Sequence, residues 1–223
     1  MAATPQGERP SVSQDEYVFI GFDCAYRTLG WCILGYNPRT CANALHGLGD
    51  LSCARNTFRL IGSGVEDVLG ENIDDVDHST RAKRLLATIR RIIPFDVIAR
   101  ATVVIERQPR KQGGGRFRSG VHDTNLTVEG QLVYHFSVVC PAQKVYLVSA
   151  GKKNKISCQL LNEERVLTYA QRKKQTRRAF VQLASVFNFD VCPYAGVLRH
   201  VKADQADACV QIIAAIFLCT KNI

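Results

Sequence analysis

The feature that most constrains the fold of this chain is an apolar segment that ends in an acid. Residues 18–30 read VFIGFDCAYRTLG, in which the apolar run stops at Asp23 and a turn-forming segment leads to Gly30 and a second apolar run, WCILGY. This pattern predicts two strands, 16–24 and 28–36, paired as a hairpin. A carboxylate at the end of a buried strand is costly to ionise unless a cation lies beside it. Asp23 is therefore a candidate functional residue.

The rest of the chain predicts a layered α/β domain. Short runs rich in β-branched residues predict further strands at 55–61, 101–106 and 144–149. Apolar residues at helical spacing predict a helix that begins at Ser79 and helices over 124–140, 171–187 and 202–220. The stretch 107–122, the segment that begins GKKNK at residue 151 and the acidic stretch 62–78 are predicted to be loops or irregular. Strands that alternate with helices are parallel wherever a helix makes the crossover.

Length and composition fit one domain. The 223 residues are 46% hydrophobic and 22% charged, which is ordinary for a globular chain with one core. Residues 1–16 are polar and predict a flexible N-terminal arm rather than a secretory signal, followed by a single domain over 17–223. No apolar run approaches the ~18 residues that a membrane span needs.

The nine cysteines include no CxxC pair, so they give no support to a zinc site. Several of them lie inside apolar runs, where cysteine acts as a small core residue. We interpret them as free thiols in a reducing, intracellular compartment.

Positive charge is concentrated in the middle of the chain. The net charge is +9, and residues 107–178 contain fifteen Lys or Arg against four Asp or Glu. Such a distribution is typical of a nucleic-acid footprint, although a solvated surface is the alternative interpretation.

Three more acids lie in apolar settings. Glu106 follows the run TVVI, and Asp204 and Asp207 lie three residues apart in KADQADA, so that on a helix both carboxylates point to one side. Asp207 also continues an apolar stripe. Burying its charge costs several times the ~0.3–1 kcal/mol that a helix dipole returns, so it needs a cationic partner, either a basic side chain or a metal ion.

Each acid taken singly has a simpler interpretation. Asp23 can cap a turn, Glu106 can pair with a nearby arginine, and Asp204 and Asp207 can be solvated at a helix start. Four carboxylates together suit Mg²⁺ or Mn²⁺ better than zinc. Two such ions about 3.5–4 Å apart can activate a water and stabilise the leaving oxygen of a phosphodiester.

In their order along the chain, these motifs resemble those of the RuvC-like Holliday-junction resolvases. GFDCAYRTLGWCIL resembles the first motif, VVIERQPR the second and KADQADA the last. The ERQ-plus-arginine form is closest to the resolvases of poxviruses and related large DNA viruses and of fungal mitochondria, and RKKQTRRAF resembles a basic helix of the poxvirus type. The resemblance covers most of residues 17–218. It departs from the family at Cys-Ala after Asp23, and the segments 37–53 and 62–78 have no counterpart.

The resemblance implies a ribonuclease-H-like (RuvC-type) α/β fold with a mixed five-stranded sheet flanked by helices. In that fold the first and fourth strands are adjacent, which brings Asp23 to Glu106, and the last helix lays Asp204 and Asp207 over them. The resemblance also implies an endodeoxyribonuclease that, as a homodimer, resolves four-way junctions by paired symmetric nicks. It would use two Mg²⁺ ions, for which Mn²⁺ would substitute, and no small-molecule cofactor. The four acids would be both catalytic residues and metal ligands, and a viral enzyme of this kind would act where viral DNA replicates in the host cell.

The predicted contacts to branched DNA fall into three groups. After the fifth strand, the candidates for contact with the scissile phosphate are Lys152, Lys153 and Lys155. On the loop after Glu106, the candidates for contact with the junction are Arg107, Arg110, Lys111, Arg116, Phe117 and Arg118. On the helix 171–187, the cations predicted to be exposed are Arg172, Lys173, Lys174, Arg177 and Arg178. Phe117 would wedge or stack at the junction centre, or else anchor its loop on the protein.

Three alternatives stay open at this point. The first is another ribonuclease-H-like nuclease that acts on RNA or on flaps. The second is a catalytically inactive nucleic-acid-binding subunit. The third is a sugar-kinase-like or actin-like nucleotide binder, against which count the short chain and the absence of Gly-rich phosphate loops from its sequence.

Overall fold

A mixed five-stranded sheet organises the chain. In the computed structural model its strands are β1 (Tyr17–Cys24), β2 (Thr28–Tyr36), β3 (Phe58–Asp67), β4 (Ala101–Arg107) and β5 (Val145–Ser149). They lie in the order β3-β2-β1-β4-β5. The β1–β2 and β2–β3 pairs are antiparallel, whereas β1–β4 and β4–β5 are parallel. The predicted hairpin, the adjacency of the first and fourth strands and the mixed five-stranded sheet are therefore confirmed.

The structure describes residues 16–25, 27–37, 57–68, 77–108, 119–139, 144–164, 168–186 and 202–220. Residues 1–15 of the predicted arm and most of the segment 37–53 lie outside these ranges. Within them, no helix is long and apolar enough to cross a membrane. The four cysteines whose side chains are described there are free thiols, as predicted: Cys24, Cys32, Cys158 and Cys209.

Helices cover both faces of the sheet. One face packs against α1 (His78–Ile92), α2 (Phe95–Arg100) and α3 (Ser119–Val139), and the other packs against α4 (Ala150–Leu161), α5 (Tyr169–Val186) and α6 (Ala203–Thr220). Each face contributes its own cluster of buried apolar side chains. This is the three-layer solution expected when parallel strands must bury both faces.

The two-residue period of β1 decides which side chains meet which layer. Val18, Ile20 and Phe22 are buried in the core under α1, α2 and α3. Gly21 and Asp23 point the other way, towards α6. A Cβ on Gly21 would lie 2.4 Å from the Ala208 carbonyl oxygen, so the missing side chain lets α6 lie directly on the strand. Asp23 is thereby placed in the same layer as the last helix.

Three segments differ from the sequence prediction. The strand β3 continues to Asp67 and pairs with β2, so residues 62–67 are not irregular. Glycines in this segment give it a low strand propensity, which is why the sequence does not predict a strand here. The Trp31 ring packs against Gly64, and such cross-strand packing outweighs propensity. The GKKNK segment lies in the first turns of α4 rather than in a loop, and α3 already begins at Ser119.

Candidate metal centre

Asp23 and Glu106 lie side by side at the ends of adjacent strands. Phe22 pairs with Ile105 in the parallel β1–β4 register, and the two acids are the next residues along their strands. Their side chains therefore point to the same face, and Asp23 is only 5% exposed. Burial raises the pKa of Asp23 well above its usual value, and the hydrogen bond and the charge of Glu106 raise this pKa further. Asp23 therefore resists ionisation, even though two nearby lysines lower its pKa.

The first turn of α6 adds Asp204 and Asp207. A Cβ on Gly30 would lie 2.3 Å from the Asp204 carbonyl oxygen, so the start of α6 can lie against β2 only where a glycine stands. Gly30 is also the β2 residue that pairs with Asp23. The Thr28 hydroxyl donates to Asp204 Oδ2 at 3.0 Å. As a result, carboxylate oxygens of Asp23, Asp204 and Asp207 all lie within 4.8 Å of one another.

The ammonium group of Lys173 lies among these three carboxylates. Its Nζ is 3.4 Å from Asp23 Oδ2 and 3.0 Å from Asp204 Oδ1, and it also donates to Asp207 Oδ2. Burial alone would lower the pKa of Lys173, but the three negative charges raise it above its usual value. The same lysine, with Thr28, holds the pKa of Asp204 below its usual value despite burial. Lys173 is therefore charged and holds the three acids together.

A second lysine reaches the cluster from α4. Lys153 is 5% exposed, and its Nζ lies 3.0 Å from Glu106 Oε2 and 3.2 Å from Asp207 Oδ2. Burial would lower its pKa, but the surrounding carboxylates of Asp23, Glu106 and Asp207 raise it above the usual value. With every group ionised, four acids and two lysines leave an excess of two negative charges.

The donor set fits a hard divalent cation. Three carboxylate oxygens within 4.8 Å of one another can reach a common ion at the 2.0–2.6 Å typical of Mg²⁺ and Ca²⁺. With all four acids ionised, the excess of two negative charges would match the charge of one such ion. Asp23, Asp204 and Asp207 would hold it, with Glu106 beside them. Because the Lys173 ammonium lies among the same oxygens, it would have to move aside.

The other predicted site residues lie on α4, on α5, at the end of β4 or outside the described residues. Lys152 and Lys155 are exposed on α4, whereas Lys153 is turned inward. Of the cations predicted to be exposed on the helix 171–187, Lys174 and Arg177 are exposed and Arg172 is half-buried. Arg178 is exposed and pairs with Glu163 at 2.7 Å. Arg107 is exposed at the end of β4. Arg110, Lys111, Arg116, Phe117 and Arg118 lie outside the described residues.

The prediction that the Lys173 side chain is exposed on its helix is wrong, because this side chain is directed into the acid cluster. Its contact with DNA stays a prediction. A helical stripe could have revealed this orientation. Lys173, Thr176, Phe180 and Leu183 recur at spacings of three and four, and the last three are buried. Residues at these spacings share one helix face, so Lys173 continues the buried stripe of α5.

Sequence reasoning also missed a buried polar contact just behind the acids. The Gln108 side chain donates to the Cys24 carbonyl oxygen at 3.2 Å, and the Gln108 backbone N–H donates to Glu129 Oε2 on α3 at 2.6 Å. Gln108 and Glu129 are 8% and 6% exposed. These bonds tie the ends of β1 and β4 together, one or two residues beyond Asp23 and Glu106. The signal in the sequence was Glu129, the one acid in the predicted helix 124–140.

The sheet order and the acid cluster define the fold as RuvC-like, that is, ribonuclease-H-like. Two solved structures with this fold superpose on most of the chain. The Thermus thermophilus RuvC structure is 14% identical with a TM-score of 0.52, over 92% of this chain and 96% of that one. The yeast mitochondrial Holliday junction resolvase Ydc2 is 13% identical with a TM-score of 0.53, over 92% and 83%. Neither a protein-family model nor a curated protein sequence matches the chain. At these identities the similarity shows the fold alone, and the closer resemblance to poxvirus resolvases stays a prediction.

Proposed function

We propose that this chain is a structure-selective endodeoxyribonuclease that resolves four-way DNA junctions with the help of divalent cations. The observation that carries the proposal is the convergence of Asp23, Asp204 and Asp207, with Glu106 beside Asp23, at one edge of a RuvC-like sheet. Two structures that share this fold are named as RuvC and as a Holliday junction resolvase.

The acids and the two lysines would have different roles at the scissile phosphate. Mg²⁺, or Mn²⁺ in its place, would activate a water for in-line attack and neutralise the leaving oxygen. The acids would hold the ions, and the contacts of Gln108 would keep Asp23 and Glu106 in register. Lys153 and Lys173, once released from the carboxylates, have the charge and the position to contact the phosphate oxygens. Exposed cations on α4 and α5, among them Lys155, Lys174 and Arg177, would bind the DNA backbone.

A homodimer is part of the proposal. Each chain contributes a single cluster of this kind among its described residues, and a junction is resolved only when two strands are cut. Two copies related by a two-fold axis would present two such centres to a junction that has matching symmetry.

The direct test is cleavage of a panel of labelled DNAs with and without Mg²⁺. We expect mobile and immobile four-way junctions to be nicked, and linear duplex to be left intact. Asp23→Asn should abolish nicking and leave junction binding unchanged or stronger, because it removes a negative charge from the DNA-facing site. Asp96→Asn removes the same charge from an exposed position on α2 and should cut like the wild type. Cleavage by Asp23→Asn in Mg²⁺ would show that the site is assigned wrongly.

The same panel separates the competing functions. Preferential cutting of flaps or RNA–DNA hybrids would indicate a different nuclease on the same fold. Tight binding to junctions without cleavage in Mg²⁺, Mn²⁺ or Ca²⁺ would indicate a nucleic-acid-binding subunit.

A further inference from the structure

An exposed tyrosine lies at the edge of the acid cluster. Tyr169 is the first residue of α5, and 68% of its surface is exposed. It lies four residues before Lys173, and residues at this spacing share one helix face. The Lys173 Nζ is placed over the Tyr169 ring, 5.9 Å from its centroid. Since the same Nζ contacts Asp23 and Asp204, the ring lies where the cluster opens to solvent.

The start of α5 is held by reciprocal capping, so this ring is not on a free loop. The Gln171 backbone N–H donates to Thr168 Oγ1 at 3.3 Å. In return, Gln171 Oε1 accepts from the Thr168 backbone N–H at 3.3 Å and from its hydroxyl at 2.7 Å. This is the capping-box arrangement, with glutamine at the third helical position. About two and three turns further along the same face, Thr176 and Phe180 are buried. The helix therefore presents Tyr169 in a defined place.

The groups around the Tyr169 ring indicate which kind of ligand would bind there. The Lys173 ammonium lies over one face of the ring, and 68% of the residue's surface is exposed to water. Exposed cations, Lys174 and Arg177, lie on the same helix. An exposed aromatic ring on an element that also carries exposed cations is the arrangement by which proteins stack the bases of unpaired strands while cations hold the phosphates. A nucleobase therefore fits this place better than an apolar peptide side chain, which would not use the cations.

We propose that Tyr169 stacks on the nucleobase next to the phosphate that is cleaved. The inference rests on the proposed function for the position of that phosphate, at the four acids. A single lysine side chain joins the ring to Asp23 and Asp204, so the base on the ring and the phosphate at the acids belong to the same or to neighbouring nucleotides. Near a branch point, where bases can leave the duplex stack, Tyr169 would hold one of them and thereby select which phosphate reaches the acids.

The test is a cycle that combines a protein variant with a modified DNA. Wild type, Tyr169→Ala and Tyr169→Phe are compared on a four-way junction and on versions that lack one base at each position around the branch point. Binding is measured in EDTA, and single-turnover cleavage is measured in Mg²⁺. Phe95→Ala is the matched control, because Phe95 is 71% exposed but precedes β4, at the end of that strand opposite Glu106.

We expect Tyr169→Ala to weaken binding or cleavage about tenfold, within the range measured for one stacked base, while Tyr169→Phe and Phe95→Ala stay near the wild type. At one base-free position the wild type and Tyr169→Ala should become equal, because the ring has then lost its partner. A loss that is the same on every substrate, or a phenylalanine variant as weak as the alanine one, would overturn the inference.

Two further arrangements keep the outcomes distinct. If Tyr169→Ala does not fold, wild-type protein and a junction with 2-aminopurine at each position answer the question, since stacking on the ring quenches fluorescence at one position. If the wild type binds junctions but cuts none, the proposed function fails, while the binding cycle still supports or rejects the stacking role. If the wild type binds no nucleic acid, the inference falls as well.

Discussion

Replacing Lys173 with methionine tests whether the acid cluster is built around a cation. The substitution keeps an unbranched side chain of similar length and removes one of the two ammonium groups among four carboxylates. At the 3.0 Å that separates Lys173 Nζ from Asp204 Oδ1, one such attraction is worth about 5–6 kcal/mol at an effective dielectric constant of about 20. Most of this attraction is offset by the cost of desolvating the charges. The loss of stability in Lys173→Met therefore comes mainly from the buried acids that are left without a cationic partner.

Removing one partner from a buried ion pair destabilises a protein by about 3–5 kcal/mol. The Lys173 side chain is 19% exposed and Lys153 stays beside Asp207, so we expect the lower end, about 3 kcal/mol. For a chain of 223 residues this lowers Tm by about 6–12 °C. The loss should reverse with divalent cations, because they bind the folded variant without having to displace an ammonium group. A concentration of 100 times Kd returns about 2.7 kcal/mol.

The assay is calorimetric unfolding in EDTA and in a series of Mg²⁺, Mn²⁺ and Ca²⁺ concentrations. Lys155→Met is the matched control, since it removes the same charge from an exposed position on the neighbouring α4. We expect Lys173→Met to be much less stable than Lys155→Met in EDTA and to gain more from each metal than the wild type does. Equal stability of the two variants in EDTA, or equal gains from metal in wild type and Lys173→Met, would refute the reasoning.

Two further substitutions test the contacts that position the acids. Gly30→Ala places a methyl group 2.3 Å from the Asp204 carbonyl oxygen, so α6 must shift; we expect a loss of about 1–3 kcal/mol in denaturant unfolding and weaker Mn²⁺ binding. Gly130→Ala, where an added Cβ meets nothing within 4 Å, should be neutral or stabilising by up to about 1 kcal/mol, and similar losses in both variants would contradict the close contact at Gly30. Glu129→Gln keeps an acceptor for the Gln108 N–H and should retain most of the stability and the metal affinity. Glu129→Leu leaves that buried N–H unpaired at a cost of about 1–3 kcal/mol, and a leucine variant as stable as the wild type would show that the bond is not needed.

The elements that sequence predicted best are those whose signals are local. The apolar run that ends at Asp23, the run that ends at Glu106 and the acids three apart in KADQADA each depend on neighbours within a few residues. The pairing of the first and fourth strands came from the order of these motifs and their resemblance to RuvC-like resolvases, and the β1–β4 register confirms it. The predicted third strand ends before β3 does. The glycines in the second half of β3 have no strand propensity of their own and pack against Trp31, which lies on another strand.

The orientation of the basic side chains was harder to predict. In RKKQTRR, the consecutive cations Arg172, Lys173 and Lys174 point in three different directions around α5. In GKKNK, the apolar spacing of a helix is recognised only when Ile156 and Leu160, further along α4, are included. The buried stripe that runs from Lys173 to Phe180 is visible in the sequence. A lysine at the end of such a stripe, however, can be either buried or exposed to solvent. Which one is adopted depends on what the facing helix presents.

The amino-acid sequence by itself determined where the acids lie along the chain, and its periodicity determined which faces of the strands and helices are apolar. Only the tertiary structure decided that Lys173 and Lys153, rather than their exposed neighbours, neutralise those acids. Lys173 meets Asp23 across 150 residues and Asp204 across 31. These groups are close enough to attract one another strongly only in the folded chain, where the sheet and α6 place the carboxylates together.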